Sequence, residues 1–124
     1  MIPPDYVLRH ASVHPMSLDR ARLALLVLEG GQAFLARARL ALERGDVGGF
    51  VADMARTQDV VLEIAQSTDA RESSVAARLA EVHQLMVRRL AHANAVRSLE
   101  LVDEILRAYG PIVETYRQVV RGDA

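Results

Sequence analysis

Four histidines are the residues whose chemistry would be easiest to recognise in this chain, because a neutral imidazole is a ready metal ligand and proton acceptor. His10 and His14 stand at i, i+4, the spacing that puts two ligands on one helical face. Pro15 defeats that pair, since it breaks a helix and biases His14 toward extended backbone. His83 and His92 are nine residues apart, about 180° around a helix, so they face opposite ways. A di-iron bundle would need inward glutamates and Glu-x-x-His motifs. Glu29, Glu63 and Glu81 sit at the edges of apolar stripes instead, and Glu-x-x-His does not occur. There is no glycine-rich phosphate loop, no Ser or Thr with an evident base, and no catalytic pair of carboxylates. Arg88-Arg89 flanks an apolar Leu90 and reads as a solvated helix face. No enzyme, metal or cofactor is expected.

The elements that would have to position any site are helices. From Ser17 to Asp46, apolar residues recur at helical spacing: Leu18, Ala21, Leu25, Leu28, Leu35, Ala38 and Leu42. A second line, Leu23, Val27, Gly31, Phe34, Ala38 and Ala41, makes the apolar face wide. A helix over about residues 18–44 would be roughly 40 Å long. A face that broad requires the centre of a bundle. Ser17 or Asp19 suits its N-terminus, and Gly45 suits a left-handed residue past its end. Gly30-Gly31 in mid-helix costs helix propensity and marks a close approach of another helix, from this chain or from a ligand.

After the turn GDVGG, a second helix is expected to Ser67, with Phe50, Met54, Thr57, Val61, Ile64 and Thr68 inward. The polar stretch STDARESS reads as a loop, with Asp69 or Ser73 as a cap. A third helix over about residues 72–95 would turn Val75, Leu79, Val82, Met86, Leu90 and Ala93 inward, flanked by His83 and Leu85. The fourth, starting at Ser98 and ending near Arg121, carries two adjacent lines. One is Val102, Ile105, Tyr109, Ile112, Tyr116 and Val119; the other is Leu99, Leu106, Val113 and Val120. Gly110-Pro111 interrupts the hydrogen bonding without breaking phase, so a kinked single helix is expected. The fold class is all-α, an antiparallel four-helix bundle over residues 17–124, preceded by an N-terminal arm or short helix over residues 1–16.

Composition narrows the function classes. Only five of the 124 residues are aromatic and none is Trp, so the core must be Leu, Val and Ala. The net charge of −1, with every basic residue an arginine and these scattered over all helices, gives no field for nucleic acid. Zero cysteines exclude disulfides and thiolate chemistry. The longest apolar run, Leu23 to Leu28, is far too short to span a bilayer, and MIPPDYVLRH lacks a signal peptide's apolar core. A soluble, cytoplasmic protein without membrane insertion is expected.

With four helices placed, the residue pattern resembles the flagellin-specific export chaperones of the FliS family. LALLVLEG, ending at Gly30, stands where that family has an apolar run ending Tyr-Asp-Gly, and Phe34-Leu35 followed by LARARLALERGD matches the next part. Thr57 to Ile64, TQDVVLEI, lies over the family's second-helix motif. Met86-Val87-Arg88-Arg89-Leu90 with Ala93-Asn94 is the most specific match, and Tyr116 occupies the register of a family Trp. Leu28 stands for a family tyrosine, and His83 and Leu85 for two more, which makes this a divergent member.

The resemblance implies a cytoplasmic chaperone that wraps the disordered C-terminal segment of flagellin, prevents its premature polymerisation and escorts it to the flagellar export gate. Surplus apolar helix surface agrees, since it offers a groove for an amphipathic segment. The candidate groove residues are Leu28, Gly30, Gly31, Val60, Leu85, Leu106, Val113 and Val120. The alternative is a non-enzymatic bundle that uses the same grooves to bind another protein or a second copy of itself.

Overall fold

The computed structural model describes residues 17–72 and 74–122, and the side chains of Ser17 and Val75 are not among those described. The expected arm over residues 1–16 therefore lies outside the described residues. Four helices follow in order: α1, Ser17–Glu43; α2, Val47–Ser67; α3, Ser74–Val96; and α4, Leu99–Arg121. Among the described residues there is no strand. Each helix packs beside the next and α4 returns beside α1, with the α3–α4 pairing the loosest. This is the expected antiparallel four-helix bundle.

Local chemistry sets the helix ends. Gly45 takes the left-handed conformation, φ 75°, and lets the chain reverse after α1. Asp46 then caps α2, its carboxylate accepting from the Gly49 amide at 2.9 Å. Ser98 caps α4 by accepting from the Leu101 amide at 3.3 Å, and left-handed Gly122 ends that helix. The Asp69 carboxylate accepts from the Arg71 amide and guanidinium within the α2–α3 loop, and the alternative cap, Ser73, lies outside the described residues.

The core runs the length of the bundle through Leu28 and Leu35 of α1, Phe50, Met54 and Val61 of α2, Met86 and Leu90 of α3, and Val102, Ile105, Tyr109 and Val113 of α4. The second helix buries every expected inward residue except its terminal Thr68, which is half-buried. Three expectations are corrected. In α1 the apolar face is narrower than expected, because Leu23 is exposed. In α3 the phase turns His83 inward and leaves Val82 exposed, since the inward residues step 83, 86, 90, 93. In α4 the buried line crosses from Ile105 and Tyr109 to Val113, with Ile112 half-buried. A helix of 3.6 residues per turn drifts about 20° per heptad, so neither strict line stays on the axis. Pro111 lies on the exposed side of an uninterrupted α4, and the Thr115 hydroxyl donates to its carbonyl at 2.9 Å.

Candidate functional site

Glycine 31 shows how the α1 side of the bundle is built. A Cβ there would fall within clashing distance of the Tyr109 hydroxyl and 2.9 Å from Val60 Cγ1. The missing side chain lets α2 and α4 both close on α1. The Tyr109 hydroxyl donates to the Leu28 carbonyl at 2.8 Å, and Thr57 donates to the Asp53 carbonyl at 2.9 Å, with the Gly31 carbonyl 3.4 Å away. Burial raises the Tyr109 pKa far above the ordinary phenol value, so it stays a donor. The close approach expected at the glycine pair is thus supplied by the protein's own helices at Gly31. Nothing lies within 4 Å of a Cβ placed on Gly30, which faces outward.

Charged side chains tie the same three helices. Buried Asp53 of α2 meets Arg56 at 3.0 Å and Arg37 of α1 at 3.7 Å. The two guanidinium groups lie over Phe34, 5.6 and 5.8 Å from its ring centre. Between α1 and α4, Arg39 binds both Asp103 and Glu43, and Arg117 reaches Glu29 at 3.2 Å. The Arg39 guanidinium lowers the Asp103 carboxyl pKa.

The α3 side is different. His83 is buried against α4, its ring 6.5 Å from that of Tyr116, and neither ring nitrogen has a hydrogen-bond partner. Desolvation lowers its pKa, so the ring is held neutral. The Asn94 side-chain oxygen, further along α3, is also buried without a partner. Tyr116 is half-buried and its phenol pKa is raised by desolvation, against a hydrogen bond with Thr68. On the outside of α3, Val82 and Leu85 are 42% and 40% exposed.

The candidate groove residues separate accordingly. Leu28, Gly31 and Val113 are interior, and Val60 is half-buried against Gly31. Gly30 opens outward on α1, Leu85 on α3, and Leu106 and Val120 are half-buried on α4. The structure therefore gathers Leu28, Gly31, Val60, Leu106 and Val113 within or against one core, leaves Leu85 and Gly30 on its outside, and half-buries Val120 near the end of α4. Sequence reading missed Val82 as a surface residue. Its signal was the presence of two apolar lines on α3, one through His83, of which only one could face inward.

Large apolar side chains, Val82 and Leu85 among them, are left outside the closed four-helix core. The family model described as flagellar protein FliS matches residues 8–123. The chain belongs to the FliS family. It is also similar to the flagellar secretion chaperone FliS of Salmonella typhimurium, 26% identical over 106 residues that cover 84% of this chain and 78% of that protein. Among the described residues no group of three or more His, Asp or Glu side chains is placed to hold a metal, and no helix is long and apolar enough to cross a membrane.

Proposed function

We propose that this FliS-family protein is a flagellar secretion chaperone that works in the cytoplasm. It binds the disordered C-terminal segment of flagellin, keeps it from polymerising early and presents it to the export gate. The family match carries this reading, and the outward apolar residues of α3 supply a physical means. A disordered segment that folds as an amphipathic helix can lay its apolar face on Val82 and Leu85 and on the half-buried side chains of α4, Leu106 and Val120 among them. Leu28, Gly31 and Val113 then form the floor that holds these helices, and Gly30 and Val60 border it on α1 and α2.

The test is calorimetric titration of the protein with C-terminal segments of flagellin from its own organism. Saturable binding is expected, and Leu85→Asp should weaken it by about 2 kcal/mol, the scale of a hot-spot loss, with an unchanged thermal melt. Absence of heat with every flagellin segment would remove the reading.

A further inference from the structure

The arginines of α3 stand apart from those of the other helices. Arg37 and Arg39 of α1, Arg56 of α2 and Arg117 of α4 each reach a carboxylate. Arg78, Arg88 and Arg89 of α3, and Arg97 just past its end, are exposed, and among the described residues none of these four reaches one. Glu81 is the sole acidic residue of α3. Arg97 also holds a left-handed backbone, φ 59°, in a position that favours glycine, its amide bonded to the Ala93 carbonyl at 2.8 Å. The helix therefore ends on a cation where glycine would fit the backbone better.

These charges are interleaved with apolar side chains. Arg78, Val82, Leu85, Arg89, His92 and Val96 follow one another at alternating steps of four and three, and all six are exposed. Val82, Leu85 and Val96 are 42%, 40% and 54% exposed, more than a residue of the core line allows. The line is about 27 Å long, the reach of one partner helix. An arginine within such a line lays its stem along the apolar surface and carries its guanidinium to the edge. The surface matches a helix with apolar residues on one face and carboxylates beside them, because a guanidinium takes a carboxylate through two parallel hydrogen bonds. Cations strung along a line, rather than converging on a point, do not suit a single phosphate group. No aromatic residue stands on this line to anchor it in a lipid surface.

We propose that α3 selects an acidic stretch of the client. That stretch is an amphipathic helix whose apolar residues lie on Val82, Leu85 and Val96 and whose carboxylates meet Arg78, Arg88, Arg89 and Arg97. The proposal rests on the chaperone reading and specifies which chemistry of the client this face recognises: the aliphatic side chains hold the helix, and the arginines choose it and speed its encounter.

The test is calorimetric titration of the full chain with the C-terminal segment of flagellin from its own organism, and with the same segment carrying Asn and Gln in place of Asp and Glu. Raising NaCl from about 50 mM to about 500 mM should weaken binding of the natural segment by about tenfold. Arg88→Glu combined with Arg89→Glu should raise its Kd by at least about tenfold with unchanged helix content, since both side chains are exposed. The neutralised segment should bind the wild type and this variant alike. Arg44→Glu, a similarly exposed charge at the end of α1, across the bundle from α3, should leave the natural segment's affinity unchanged. Binding that ignores salt, or ignores the reversal at Arg88 and Arg89, would overturn this proposal and leave the chaperone reading standing. Absence of binding to either segment would overturn both. Wild type that sediments with phosphatidylglycerol vesicles and loses them on the reversal, while the natural segment binds as before, would overturn the proposal in favour of an anionic membrane surface.

Discussion

The two sides of this bundle hold their helices by different means. Around α1, the contacts to α2 and α4 are specific. A glycine admits a tyrosine hydroxyl, that hydroxyl meets a backbone carbonyl, and ion pairs cross to both neighbours. On the α3 side, both ring nitrogens of His83 and the side-chain oxygen of Asn94 are buried without a hydrogen-bond partner. Unpaired buried polar atoms cost about 1–3 kcal/mol each, whereas the satisfied ones on the α1 side add about 1 kcal/mol net. The contrast makes the α1 side the more tightly specified of the two, and the proposed client would meet the α3 side.

The sharpest way to break this comparison is to place one charge on each side. Leu28→Asp or Val113→Asp buries an unpaired carboxylate among fully enclosed residues and should cost at least about 4 kcal/mol, seen as loss of the cooperative thermal transition. Leu85→Asp on the α3 surface should change the melt by less than about 0.5 kcal/mol. Equal losses would mean that α3 is as tightly built as α1.

Gly31→Ala comes next in size. Its methyl group meets Tyr109 and Val60, and overpacking of this kind costs about 2 kcal/mol, measured by urea denaturation. Gly30→Ala, one residue earlier and facing open space, has the opposite sign: a gain of up to about 1 kcal/mol from helix propensity.

Between these lies His83. Its pKa is lowered in the fold, so the unfolded chain takes up the proton first. Stability from this group is complete above pH about 6.5 and is lost as the pH falls below that value. His83→Leu should remove this acid sensitivity and raise stability by about 1 kcal/mol, because it takes away both orphaned nitrogens. Thermal melts of the two proteins between pH 7.5 and 5.5 give the comparison. Parallel pH profiles would show that His83 is solvated.

Much of the fold was legible because periodicity and punctuation agree along the chain. Gly45 with the GDVGG turn, and Ser98, place turns where the apolar stripes end, and the second helix's stripe is the buried one. What could not be read was phase within a wide stripe. Val82 and His83 are adjacent, and hydropathy favours the valine inward, yet the geometry set by Met86 and Leu90 turns the histidine in. Likewise Val113 belongs to a line that looked surplus in sequence and is fully buried, because α4 drifts from one line to the other. Gly31 lies on an apolar line of α1 and Gly30 does not, but what the missing side chain admits is set by the arrival of Tyr109 from far along the chain. The partner surface was the least readable part, since a core residue and a groove residue share one chemistry and differ only in what lies across from them.

Hydrogen exchange, followed amide by amide with and without a flagellin C-terminal segment, tests the central claim most directly. The segment should add protection over α3 from Leu79 to Leu90 and over the α4 residues facing it, while the α1 and α2 amides around Gly31 and Thr57 change little, being already slow. Protection confined to α1 and α2, with α3 unchanged, would contradict the account.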